Sequence, residues 1–202
     1  MNLPSLESCK HVLPADEFGT KSQLLAELGR GVDPVAVMLT CSDLSPAPDL
    51  VSRLNLGNFM FLQNPGGLFP AEKTNDGGSC IVSIAYLLNM PTVRHLIVCG
   101  HTECTTLGMI VAQETEGEKH PYLKLMKGVS DQFYATYRDR PRQEWLSIIV
   151  QENVLQQIAN LRSYAHIQSL LRKGKLLFQG WIRDDQTSVI TAYDPVAGQF
   201  CN

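Results

Sequence analysis

Two continuous apolar runs of strand length in this chain end on thiol- and imidazole-bearing residues. Residues 34–40 read P-V-A-V-M-L-T and lead into Cys41-Ser42-Asp43, while residues 94–99 read R-H-L-I-V-C and pass through Gly100 into His101-Thr102-Glu103-Cys104. A run with apolar residues at consecutive positions, as at 35–39 and 96–99, and not at alternate ones, suits a strand covered on both faces, as in a parallel sheet flanked by helices. The remaining pattern agrees. A short helix is expected over 22–29, with Ser22 as its cap and Gly29 or Gly31 as its stop, and a second strand over 58–62, ended by the turn Gln63-Asn64-Pro65-Gly66-Gly67. A helix follows over 78–90, stopped by Pro91, and a long amphipathic helix spans 145–164. Two further strands, 176–181 and 188–193, are joined by the polar turn Arg183-Asp184-Asp185-Gln186, and the charged stretch 115–142 reads as surface helices and loops. Strands alternating with helices predict an α/β fold with a mainly parallel central β-sheet.

No internal repeat, low-complexity tract or flexible linker divides the 202 residues. The expectation is one domain over 1–202, with a helical arm at 1–33 and an α/β core at 34–202. Hydrophobic residues make up 44% of the chain, enough for a substantial core, and the formal charge of −3 argues against nucleic acid or anionic lipid as a partner. The apolar run around residues 80–90 is too short and mixed to span a bilayer, and residues 1–10 lack a secretory pattern, so a cytoplasmic location is expected. In a reducing compartment the six cysteines read as metal ligands or buried hydrophobes, not as three disulfides. Cys80 and Cys99 fall in apolar segments and read as core; Cys9 and Cys201 receive no role.

In an open parallel sheet, ligands bind beyond the carboxyl ends of the strands, where both motifs fall. Cys41, His101 and Cys104 there form a three-ligand set for Zn2+, with a fourth position open to chemistry. Asp43 has three possible roles. It can accept a hydrogen bond from a water activated by the metal, close the site as a fourth ligand, or cap a turn or helix. His11, His95, His120 and His166 read as surface or satisfied core side chains.

The arrangement resembles the β-class carbonic anhydrases over nearly the whole chain. That family carries C-x-D-x-R after one core strand and H-x-x-C after a later one; here the motifs stand as Cys41-Ser42-Asp43-Leu44-Ser45 and His101-Thr102-Glu103-Cys104. Residues 57–64 (G-N-F-M-F-L-Q-N) resemble the segment that ends in Arg-Asn. Residues 180–184 (G-W-I-R-D) and 191–194 (T-A-Y-D) resemble the last hairpin. The resemblance implies reversible hydration of carbon dioxide to bicarbonate at zinc held by Cys41, His101 and Cys104. It also implies a homodimer or larger assembly.

This chain departs from the family pattern at several positions. Ser45 replaces the arginine that holds the aspartate off the metal, Gln63 replaces a second arginine, and Thr105 and Thr106 follow the second motif where glycines are usual. Asn55 falls where some members carry a substrate-binding glutamine. Without the guanidinium, Asp43 is expected to be prone to coordinate the zinc, unless Arg53 or Lys73 supplies the cation. Two alternatives accompany the enzyme: a non-catalytic zinc-binding relative with a structural or regulatory role, and a hydrolase of a related small molecule such as carbonyl sulfide.

Overall fold

A computed structural model describes residues 3–6, 11, 13–30, 36–44, 59–72, 78–112 and 121–201. Cys9, Ser45, Arg53, Asn55, Lys73 and His120 lie outside the described residues. Six strands form one sheet: β1 (Ala36–Cys41), β2 (Phe59–Asn64), β3 (His95–His101), β4 (Leu177–Arg183), β5 (Ile190–Asp194) and β6 (Gln199–Cys201), in the order β2-β1-β3-β4-β5-β6. The first four are mutually parallel, and β5 and β6 add on antiparallel. The helices are α1 (Lys21–Leu28), α2 (Gly78–Leu88), α3 (Thr105–Val111), α4 (Pro121–Tyr137), α5 (Arg142–Arg162) and α6 (Ala165–Arg172).

The apolar runs behave as their composition requires: β1 is buried at all six positions, and β3 at every position except Gly100. From β1 the chain moves to β2 on one side, and from β3 to β4 on the other. The β1/β3 boundary is therefore the topological switch point, the place at the carboxyl edge where open α/β sheets bind their ligands.

Several local expectations need correction. The cap of α1 is Thr20, not Ser22: the Thr20 hydroxyl accepts from Gln23 N–H while the Gln23 side chain accepts from Thr20 N–H. That reciprocal box satisfies two otherwise orphaned donors. β3 runs on through Gly100 to His101 instead of stopping at Cys99, because both residues pair with β4, Gly100 opposite Ile182 and His101 opposite Arg183. Glycine is needed there, since a Cβ would lie 2.9 Å from Val154 Cγ2 on α5.

The stretch expected at the surface contains α4, which buries Phe133 and Tyr137, with Phe133 stacked on Tyr137 and meeting Trp145 of α5 edge-on. α5 is not simply amphipathic, for Gln151, Asn153 and Gln157 are buried alongside its apolar residues. Two of these hold a loop. Asn153 Nδ2 donates to Gly66 O at 2.8 Å, and Gln157 Oε1 accepts from Phe69 N–H at 2.8 Å; Asn160 Nδ2 adds a bond to Phe69 O at 2.8 Å. Spaced three or four residues apart, the three side chains share one helix face and pin residues 66–69 beside the end of β1.

His95, at the start of β3, is a satisfied core residue as expected. Gln179 Nε2 lies 3.1 Å from its Nδ1, and Glu27 Oε2 lies 3.1 Å from its Nε2. Gln179 can only donate from that nitrogen, so Nδ1 accepts and Nε2–H faces Glu27. Burial is the largest influence and holds the imidazole below 6.5; Arg94 acts in the same direction, and Glu27 opposes both. The unfolded chain therefore takes up the proton first as pH drops, so the contribution of neutral His95 is complete above 6.5 and declines below it. The urea midpoint should fall between pH 7.5 and 5.5, with a shallower fall in His95→Gln; equal slopes would contradict this.

Candidate metal centre

Cys41 ends β1, and a turn closed by Leu44 N–H on Cys41 O carries Asp43 around it. Gln63 supports that turn, with Nε2 donating to Cys41 O at 3.2 Å and to Leu44 O at 2.8 Å. On the adjacent strand, His101 ends β3, and Cys104 stands at the N-cap of α3. The two motifs, sixty residues apart in sequence, thus meet at the β1/β3 switch point. One ligating atom from each of Cys41, Asp43, His101 and Cys104 lies within 4.8 Å of the others. Cys41, His101 and Cys104 are buried, while Asp43 is exposed and opens the group to solvent.

The sulfurs of Cys41 and Cys104 are 3.7 Å apart, far beyond a disulfide bond of about 2.05 Å. Cys41 Sγ receives N–H bonds from Gly66 at 3.1 Å and Asp43 at 3.4 Å. Gly66 reaches it through the left-handed conformation, φ 65°, that glycine adopts without cost. The Cys104 thiol, donating to Cys41, is the largest influence holding Cys41 at about 5, against the opposing effect of burial. The same bond, with burial, pushes Cys104 well above the usual thiol value. Cys99 differs: burial drives its thiol up to about 12, and it stands apart from the four-residue group.

His101 Nδ1 lies 2.7 Å from Asp185 Oδ2, while the buried Nε2 has no hydrogen-bond partner among the described residues. Burial pulls the imidazole down, but its contacts with Cys41 and Asp185 outweigh burial and leave it above 6.5. Asp43 Oδ2 accepts N–H bonds from Thr105 at 3.0 Å and Thr106 at 3.3 Å, and lies 4.0 Å from Cys104 Sγ. Its carboxylate therefore tethers the first turn of α3. Because these bonds use backbone N–H groups, they do not depend on the side chains of Thr105 and Thr106.

The donor set fits zinc. A tetrahedral ion with bonds of about 2.3 Å to sulfur places two sulfurs roughly 3.8 Å apart, close to the separation found. The buried Nε2 of His101, with no hydrogen-bond partner among the described residues, would serve as the third donor, and an exposed carboxylate belongs to the same group.

Of the residues singled out from sequence, Cys41, Asp43, His101 and Cys104 come together, whereas Cys99 and Cys201 stay away. Asn55, proposed for substrate, and Ser45 are outside the described residues. Sequence reasoning missed Asp185 beside His101, the Gly66 N–H on Cys41 and the support from Gln63. The Pro65-Gly66-Gly67 turn directly after an apolar strand was the available signal for Gly66; nothing local marked Asp185.

A family model for carbonic anhydrase matches residues 36–190. The chain is 27% identical over 187 residues to a carbonic anhydrase of Synechocystis, an alignment spanning 91% of this chain and 68% of that protein. It is 27% identical over 192 residues to a carbonic anhydrase of Pseudomonas aeruginosa, covering 92% and 84% respectively. For a second cyanobacterial relative, from Synechococcus elongatus, the share covered is 65% of its length. Among solved structures, the β-carbonic anhydrase CcaA superposes with a TM-score of 0.74 at 27% identity, covering 90% of this chain and 89% of that one. The Coccomyxa β-carbonic anhydrase shares the fold, with a TM-score of 0.66 at 19% identity over 90% of this chain and 84% of that one. With the family model covering strands β1 to β4 and both motifs, this chain belongs to the carbonic anhydrase family, in its β class.

Proposed function

We propose that this protein catalyses the reversible hydration of carbon dioxide to bicarbonate with Zn2+, which Cys41, His101 and Cys104 hold. The observation that carries the reading is the convergence of two thiols, an unpartnered imidazole nitrogen and a carboxylate at one switch point. Zinc, when bound, supplies the Lewis acidity that lets water lose a proton near neutral pH. The chain supplies the rest. Gly66 and Asp43 N–H groups steady the Cys41 sulfur, and Asp185 orients the His101 ring. Asp43 acts as the acceptor that aligns the attacking water toward carbon. New carbon–oxygen bonding moves one π pair of carbon dioxide onto oxygen, giving bicarbonate, and the proton leaves to solvent. The two N–H bonds on Asp43 Oδ2 support this role over ligation, because they oppose movement of the carboxylate toward the cation despite Ser45.

The chain is read as one domain with an N-terminal arm. Packing of Phe18 against Phe178 and the bond from Lys21 Nζ to Ile190 O support an arm docked on the sheet. Pairing into a homodimer or larger homo-oligomer is supported by the exposed Val82 and Tyr86, one turn apart on α2. β-Carbonic anhydrases of Sordaria macrospora are described as tetrameric. No helix among the described residues is long and apolar enough to cross a membrane. Zinc analysis together with stopped-flow carbon dioxide hydration tests the function. About one zinc per chain with rapid hydration is expected, and a zinc-loaded chain without hydration would refute the activity.

A further inference from the structure

The polar network behind His101 lies outside the four-residue group and joins two parts of the chain far apart in sequence. Asp185, in the turn between β4 and β5, uses Oδ2 twice: it lies 2.7 Å from His101 Nδ1 and accepts from Glu103 N–H at 2.9 Å. Its Oδ1 accepts from Arg183 Nη1 at 3.0 Å, and the Asp185 N–H donates to Thr102 Oγ1 at 3.0 Å. Thr102 N–H in turn donates to Arg183 O at 3.1 Å, and Gln186 Nε2 donates to Glu103 Oε1 at 3.0 Å. Every residue from His101 to Glu103 is thereby tied to the 183–186 segment.

A carboxylate only accepts hydrogen bonds when ionised, so Asp185 places the imidazole proton on Nδ1. That leaves the Nε2 lone pair, the buried atom without a partner, facing the cluster. The pairing also raises the donor strength of the ring. The buried Arg183 guanidinium balances the carboxylate charge and is itself held by Ser188 Oγ at 3.1 Å.

We propose that Asp185, clamped by Arg183, is a positioning residue for His101: it sets the tautomer and ring orientation with which the histidine meets the metal. The proposal rests on the zinc reading above and deepens it. Asp185→Asn should weaken zinc binding by about 10- to 100-fold in a chelator competition, and shift the visible spectrum of the cobalt-substituted protein. Asp139→Asn, at an exposed carboxylate, should leave both unchanged. In the zinc-loaded parent, nitrogen-15 histidine spectra should show the His101 proton on Nδ1. Zinc held by Asp185→Asn as tightly as by the parent would overturn the proposal alone. An Nε2–H tautomer in the loaded parent would do the same, even if the variant failed to fold. A parent that took up no zinc would overturn the metal reading and this proposal together.

Discussion

Cys104→Ser is expected to remove both the metal and the activity, with zinc falling from about one per chain to nearly none. Carbon dioxide hydration should fall by about 1,000-fold or more, because a Lewis-acid metal contributes several kcal/mol and each 1.4 kcal/mol is about tenfold in rate. The serine hydroxyl is a poor ligand beside a thiolate, and it shortens the reach to a cation already shared with Cys41 Sγ, 3.7 Å away. Cys99→Ser provides the contrast. Its thiol is buried, lies outside the four-residue group and contacts Gly100 O at 3.5 Å, so zinc content and rate should stay near those of the parent. Zinc content and stopped-flow rates of the two variants side by side check this. Retention of zinc and rate by Cys104→Ser would remove Cys104 from the ligand set.

Asp43→Asn should separate the two roles open to that carboxylate. As an acceptor that aligns water, Asp43 contributes to rate and not to affinity, so the variant should keep its zinc and lose roughly 10²- to 10⁴-fold in hydration. The asparagine Oδ1 can still accept from Thr105 and Thr106 N–H, so the loss of stability should be no more than about 1 kcal/mol, the scale of a helix cap. Loss of zinc in Asp43→Asn would instead identify Asp43 as a ligand, the outcome suggested by Ser45 standing in the place of the family arginine. The decisive pair of measurements is zinc affinity and hydration rate on the same sample.

What could be read locally in the chain was the identity of the strands and of the metal-type residues. Runs with four or more consecutive apolar residues have few alternatives to a strand covered on both faces, and β1 and β3 are covered so. Thiol and imidazole at the ends of such runs can be listed without coordinates, because the carboxyl edge of a parallel sheet is where ligands collect. Boundaries were less legible. The cap of α1 fell on Thr20 because its reciprocal bonding with Gln23 satisfies two donors, which a nearby Ser22 does not match. The three-residue strand β6 has too short a pattern to detect and is held by pairing with β5.

By itself, then, the sequence determined the fold class, the family and the four residues Cys41, Asp43, His101 and Cys104, because covalent order and hydrophobic pattern act over short range. The tertiary structure alone decided how those residues are held. Strand order placed Cys41 next to His101, α5 pinned the loop that offers the Gly66 N–H to sulfur, and the β4–β5 turn delivered Asp185 to Nδ1. Each is a contact across 25 to 91 residues, produced by packing and by the need to satisfy buried polar atoms, and no local window of residues carries it.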